Sequence, residues 1–302
     1  MELLPLAAQT VAQTPGLRSE YYEVRSEKVD ADFAVWVTCP VGYESNANSY
    51  PVVYVTDGNT AAPTLEPFVE MNNLDLICRV EPYIQVAVGY VGREVHRSWI
   101  LRCRDLVPPE EPLSAGVLEA LEIDSELAGW SEEEHNDYLA GMQNGQADRF
   151  LRFLEEELHP FIEGKYRTRR DMTGLFGFSY GGLFSLYALL QEKSIFSRLG
   201  AGSPGVLTPE SQIFTMMDRL SENGFAFGDT RIHLTVNALE ITGKSRCYRE
   251  LGIEFARLIN EFYLKDFPGL IFTSRIHDED ATHITGFAQS FHGFLRACYS
   301  SE

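Results

Sequence analysis

Gly177-Phe178-Ser179-Tyr180-Gly181 is the stretch from which the rest of this 302-residue sequence can be read. Met172-Thr-Gly-Leu-Phe-Gly-Phe178 leads into it as an apolar run that predicts a short buried strand. Gly182-Leu-Phe-Ser-Leu-Tyr-Ala-Leu-Leu190 leads out of it and predicts a buried helix. G-x-S-x-G at a strand-to-helix corner is a nucleophile elbow. The serine sits on a strained turn that exposes its hydroxyl, and a side chain two positions either way would jam strand against helix. The helix start adds backbone N–H groups and the positive end of the macrodipole where an oxyanion would form.

Outward from the elbow, strands alternate with helices. Tyr21 to Val29 and Ala31 to Cys39 predict an opening antiparallel pair. Val52-Val-Tyr-Val-Thr56 and Tyr83-Ile-Gln-Val-Ala-Val-Gly-Tyr90 predict strands buried on both faces, with a helix expected within Thr64 to Arg79. In Ala147 to Tyr166 the residues Phe150, Leu151, Leu154, Leu158, Phe161 and Ile162 share one helical face. Beyond the elbow come strands at Phe196 to Ser203, Ile232 to Leu239 and Leu270 to Ile276. Helices are expected from Pro209, over Arg246 to Leu264 and over His283 to Ala297. The pattern calls for one α/β domain over residues 1–302, a mostly parallel central sheet with helices on both faces.

Leu106 to Gln146 breaks the alternation. It holds ten Asp or Glu residues and no Lys or Arg. Its interspersed apolar residues, among them Leu113, Val117, Leu121, Trp130, Tyr138 and Met142, give it something to bury. Ser131-Glu-Glu-Glu134 is a capping-box pattern that starts a helix. The segment is expected to be an acidic cap over the site, against the plainer alternatives of a solvated excursion or a contact between copies of the chain.

The formal charge of −19 argues against nucleic acid and anionic membranes as partners. The five cysteines are odd in number and lack C-x-x-C spacing, which favours reduced thiols in a cytoplasmic protein. Met1-Glu-Leu-Leu-Pro-Leu-Ala-Ala8 has a glutamate where a secretory signal needs a positive charge. No cofactor or metal is expected, because His and Cys are never at ligand spacing. The expected partner is a small-molecule ester or lactone, with a homo-oligomer left open.

A serine hydroxyl attacks a carbonyl only when a base takes its proton, and that base must be held in one tautomer. The elbow order is serine, acid, histidine. Of the histidines beyond the last predicted strand, His283 lies in the polar loop Asp278-Glu-Asp-Ala-Thr-His283, while His277 closes the strand and His292 falls inside a helix. His96, His135, His159 and His233 read as loop or helix-surface residues. Glu240 ends the run Ile232-His-Leu-Thr-Val-Asn-Ala-Leu-Glu240 and is the candidate acid, with Asp278 or Asp280 as alternatives. Oxyanion donors are expected from the N–H of Tyr180 and from Gly58 or Asn59. Phe178 is a candidate for substrate contact. Arg102 or Arg104 could meet an acidic or catecholic substrate group, against a structural pair with Asp105.

Several stretches together resemble the putative-esterase family of α/β-hydrolases. These are Tyr50-Pro-Val-Val-Tyr-Val-Thr-Asp-Gly58, Val86-Ala-Val-Gly-Tyr90, Arg102-Cys-Arg-Asp-Leu-Val-Pro108, Ala147-Asp-Arg-Phe-Leu-Arg-Phe-Leu-Glu-Glu-Glu-Leu158 and Phe176-Gly-Phe-Ser-Tyr-Gly-Gly-Leu-Phe184. The family includes siderophore trilactone esterases, feruloyl esterases, S-formylglutathione hydrolases and mycolyltransferases. The resemblance runs from about Tyr21 to the C-terminus and implies the α/β-hydrolase fold and a serine carboxylesterase. It sets Ser179, Glu240 and His283 at the triad positions. Asn237 stands where such proteins usually have glycine, and the acidic excursion looks longer than usual. An acyltransferase using the same acyl-enzyme and a catalytically silent binding protein are the rival readings.

Overall fold

The computed structural model describes residues 18–114, 117–119, 121–123, 129–243, 245–278 and 280–300. The start Met1 to Ala8, part of the acidic segment, Glu279 and the Cys247 side chain lie outside the described residues. Eight strands form one sheet: β1 Arg18–Ser26, β2 Ala31–Cys39, β3 Tyr50–Val55, β4 Ile84–Tyr90, β5 Thr168–Phe178, β6 Arg198–Gly202, β7 Thr230–Asn237 and β8 Leu270–His277. Their order is β1-β2-β4-β3-β5-β6-β7-β8. β2 runs antiparallel to both its neighbours, and every pairing from β4 to β8 is parallel. This is the α/β-hydrolase architecture that the alternation called for.

β3 and β4 are buried along their whole length, as central parallel strands must be when helices cover both faces. β1 alternates because it is an edge. Two apolar layers flank the sheet. One is built around Phe33, Tyr54, Phe153 and Phe184, the other around Tyr83, Phe176, Phe291 and Phe294. The elbow strand β5 lies centrally between β3 and β6, so its carboxyl end opens where ligands bind in such sheets.

Local differences from the sequence reading have identifiable causes. A helix already begins at Gly58 and runs to Leu65, with a second over Phe68–Leu74, rather than one helix inside Thr64 to Arg79. Gly58, Asn59 and Pro63 are weak helix formers, so packing against the sheet decides there. The long helix after the acidic segment contains a π turn at Phe153–Leu158 between Ala147–Arg152 and His159–Lys165. The wider turn lets Phe153 as well as Leu154 and Leu158 become buried. The last helix starts at Gly286, not at His283. His159 and His233 are buried rather than on the surface. His159 Nδ1 meets the Tyr54 hydroxyl at 2.9 Å, and His233 Nδ1 meets Thr273 Oγ1 at 2.8 Å from inside the sheet.

The acidic segment leaves and rejoins the body at one neck. The N–H of Gln146 donates to the Arg104 carbonyl (2.6 Å) and that of Ala147 to the Val107 carbonyl (3.2 Å). The helix Glu132–Gln143 carries both halves of the Ser131/Glu134 capping box. Val117, Leu121, Tyr138 and Met142 are buried. Glu111 accepts the N–H of Gln212 at 3.0 Å, fastening the segment to the N-terminus of the helix Gln212–Glu222. Burial pushes the Glu111 carboxyl up to about 7, against the hydrogen bonds from Ser211 and Gln212.

Candidate active site

Ser179 caps the helix Tyr180–Leu189 with φ 60° and ψ −120°, a backbone conformation that L-residues seldom adopt. The surroundings enforce it. Its N–H donates to the Gly202 carbonyl (2.9 Å), and its carbonyl accepts from Leu183 (3.0 Å) and Gly205 (2.8 Å). A Cβ on Gly177 would stand 2.0 Å from the Gly181 carbonyl oxygen, and one on Gly181 would stand 2.3 Å from Thr56 Oγ1. Both elbow glycines are therefore steric necessities.

β7 ends at Asn237 and passes into the helix Ala238–Thr242, which carries Glu240. The Glu240 side chain is only 1% exposed, yet both its oxygens are bonded. Oε1 meets Nδ1 of His283 in a close contact. Oε2 accepts from Ser203 Oγ (2.8 Å) and from the Asn237 N–H (2.7 Å). Burial raises the affinity of this carboxyl for a proton, but His283, the Asn237 N–H and Ser203 outweigh it and hold the group below its ordinary range. Asn237 in place of glycine has a visible use, since its Nδ2 donates to Ser203 Oγ at 3.0 Å.

His283 sits on a turn closed by Thr282 and Thr285, each donating its N–H to the other's hydroxyl (2.9 and 3.2 Å). The N–H of Leu239 donates to the Ala281 carbonyl at 3.3 Å, tying that turn to the Glu240 helix. The imidazole lies between two rings. Tyr248 stacks on it at 4.7 Å between centroids, and Phe178 lies tilted at 4.9 Å. With Nδ1 committed to Glu240, Nε2 is the nitrogen left for chemistry.

Two adjoining cavities, of about 250 and about 400 Å³, have Ser179, His283, Trp99, Arg102 and Ile284 in both their walls. The smaller adds Asn59, Tyr90, Phe178 and Phe287. The larger adds Tyr180 and three residues of the acidic segment, Leu121, Trp130 and Tyr138. The Tyr138 and Tyr180 hydroxyls are 3.0 Å apart.

The structure thus brings together Ser179, His283, Glu240, Tyr180, Asn59, Phe178 and Arg102. Gly58 is not in either wall; a Cβ there would meet the Val88 carbonyl carbon at 2.6 Å, so glycine serves close packing on β4. The Asn59 side chain is occupied by both backbone groups of Tyr90 (2.7 and 2.8 Å), which leaves its N–H at the open helix start as the group that can meet a ligand. Arg104, not Arg102, pairs with Asp105, at 2.7 and 2.9 Å, and lies outside both cavities. Arg102 pairs with Asp57 instead, at 2.7 and 2.9 Å. Ser203 and Tyr248 escape the sequence reading, which marks Asn237 only as a departure from glycine. Their contacts join distant segments, and only the run of residues after each strand hinted at them.

An eight-stranded α/β-hydrolase sheet with a strained serine at its central strand-to-helix corner defines the class. Residues 117–236 match the family model described as "Putative esterase". The chain is 32% identical over 239 residues to the ferri-bacillibactin esterase BesA of Bacillus subtilis (strain 168), covering 74% of this chain and 76% of that one. It is 27% identical over 212 residues to a siderophore enterobactin esterase of Emericella nidulans, covering 66% of this chain and 62% of the relative. The crystal structure of the BES protein from Bacillus cereus superposes with a TM-score of 0.74 at 23% identity, over 98% of this chain and 99% of that one. The chain belongs to this esterase family of α/β-hydrolases and is a carboxylic ester hydrolase of the serine-hydrolase type. Among the described residues no helix is long and apolar enough to cross a membrane.

Proposed function

We propose that the chain hydrolyses an ester or lactone through Ser179, His283 and Glu240. His283 Nε2 takes the Ser179 proton as Oγ attacks the carbonyl, and Glu240 holds the imidazole by Nδ1 and balances the charge it gains. The N–H groups of Tyr180 and Asn59 receive the oxyanion. Collapse of the tetrahedral intermediate passes the proton from Nε2 to the leaving alcohol, and water repeats the sequence on the acyl-enzyme. The observation that carries this reading is the Glu240–His283 contact beside a serine held at φ 60°, with serine and imidazole in the walls of the same cavities.

The acidic segment acts as a cap that completes the substrate wall through Leu121, Trp130 and Tyr138. Rings dominate that wall, which favours an ester with aromatic bulk. The siderophores for which the relatives are named, ferri-bacillibactin and enterobactin, are the first candidates. A panel of esters and lactones with varied acyl and alcohol parts tests the proposal. Turnover should be greatest on aromatic esters, and Ser179→Ala should reduce it by roughly 10⁴–10⁶. Undiminished turnover by the purified variant would contradict the assignment.

A further inference from the structure

Arg102 stands in the walls of both cavities, and its charge is already matched by Asp57. Its side chain is 8% exposed and forks onto Asp57, Nε to Oδ1 at 2.7 Å and Nη2 to Oδ2 at 2.9 Å. The same Nη2 donates to the Phe178 carbonyl at 3.2 Å. The guanidinium carbon lies 5.4 Å from the Trp99 ring centre and 5.2 Å from that of Tyr180.

These contacts join the two segments that carry the oxyanion donors. Asp57 is the left-handed residue, φ 56°, that starts the helix bearing Asn59. Its carbonyl accepts the N–H groups of Thr60 and Ala61 at 2.9 Å each, which leaves the Asn59 N–H at the open end. Phe178 and Tyr180 flank Ser179 on the other segment. The segments touch beneath the pair, where a Cβ on Gly181 would lie 3.3 Å from Asp57 Oδ2.

We infer that Arg102 is a positioning residue, a clamp that fixes the separation of the Asn59 and Tyr180 N–H groups, and not a cation for the substrate. The inference rests on the proposed reaction at Ser179. It explains why a left-handed aspartate precedes the donor, since a forked ion pair over-determines an otherwise costly backbone. Misplacing one donor should then act on the transition state, and equally on all substrates.

The test uses two matched aryl esters, one neutral and one bearing a carboxylate, with Arg102→Lys, Arg102→Met, Asp57→Asn and the double variant Arg102→Met/Asp57→Asn. Circular dichroism and Tm establish folding, and Arg102→Lys, which keeps the charge but loses the fork, remains informative if Arg102→Met does not fold. The clamp predicts kcat lowered by roughly 10–10³-fold on both esters alike, KM changed by less than about threefold, and a double variant no worse than the poorer single one. A substrate cation predicts the opposite: Arg102→Met raises KM for the anionic ester alone, and Asp57→Asn, which frees the guanidinium, improves that ester. Either of these results, or unchanged kcat in Arg102→Lys, overturns the clamp. Labelling of Ser179 by a fluorophosphonate separates the two levels. Wild-type protein that does not label removes the underlying reaction and the clamp with it, whereas normal wild-type labelling with unaltered variant kinetics removes the clamp alone.

Discussion

The elbow and the acidic segment meet in the wall of the larger cavity, and they contribute to it by opposite means. Around Ser179 almost nothing can vary: two glycines are forced by contacts of 2.0 and 2.3 Å, and three backbone hydrogen bonds fix the strained residue. Leu106 to Gln146 reaches the site from a neck, fastened by Glu111 to the helix Gln212–Glu222 and by an Arg97–Asp137 ion pair of 2.7 Å. It offers Leu121, Trp130 and Tyr138 to the larger cavity. The proposed chemistry lies at packed strand ends, and the proposed selection on the surface that the acidic segment adds to the larger cavity. Changes in the first region should alter kcat for every substrate, and changes in the second should sort one substrate from another.

The sharpest way to break that contrast is Glu240. Glu240→Gln keeps the shape but loses the carboxylate that fixes the imidazole, and kcat should fall by roughly 10³–10⁴ on all esters. A loss confined to bulky esters would erase the distinction. Trp130→Ala is the converse. It should raise KM for aromatic esters by roughly three- to tenfold and leave small acetate esters nearly unchanged. Equal losses on both kinds would place the acidic segment in the chemistry itself.

The smallest expected effect separates the regions by pH. Burial, helped by His277 and Arg275, pushes His233 down to about 4. A histidine is near 6.5 in the unfolded chain, so the unfolded state holds more protons between these values. The associated stability is complete above about 6.5 and is lost as pH falls toward 4, on the order of 2–3 kcal/mol. Glu111 tilts the other way: raised to about 7, it favours the folded state at low pH and loses that contribution as pH rises from about 4.5 to 7. Tm measured from pH 7 to 4 should therefore fall less steeply in His233→Gln than in the wild type. An unchanged slope would show that the sheet histidine does not govern acid unfolding.

What could be read along the chain follows the same division. β3, β4 and β5 announce themselves by apolar runs because burial on both faces leaves no polar alternative, and the elbow by glycines that admit no side chain. Ser179 stands at the end of such a strand, whereas Glu240 lies in the short helix after β7 and His283 on a turn beyond β8, so chain order narrows the candidates there and leaves Asp278 and Asp280 as alternatives to Glu240. The structural pair with Asp105 is made by Arg104, while the sequence could not show the partner of Arg102, because Asp57 is 45 positions away. Ser203 and Tyr248 act through contacts that only the folded sheet creates. The helix at Gly58 was missed because its residues are poor helix formers individually and are held there by β4.

The central claim is that Ser179 is made reactive by His283 and Glu240. The direct measurement is covalent labelling by a fluorophosphonate, with the modified residue located by peptide mass spectrometry in the wild type and in His283→Ala. The account predicts rapid modification at Ser179 alone, slowed by several orders of magnitude in the variant. Modification at another serine, or an undiminished rate without the imidazole, would contradict it.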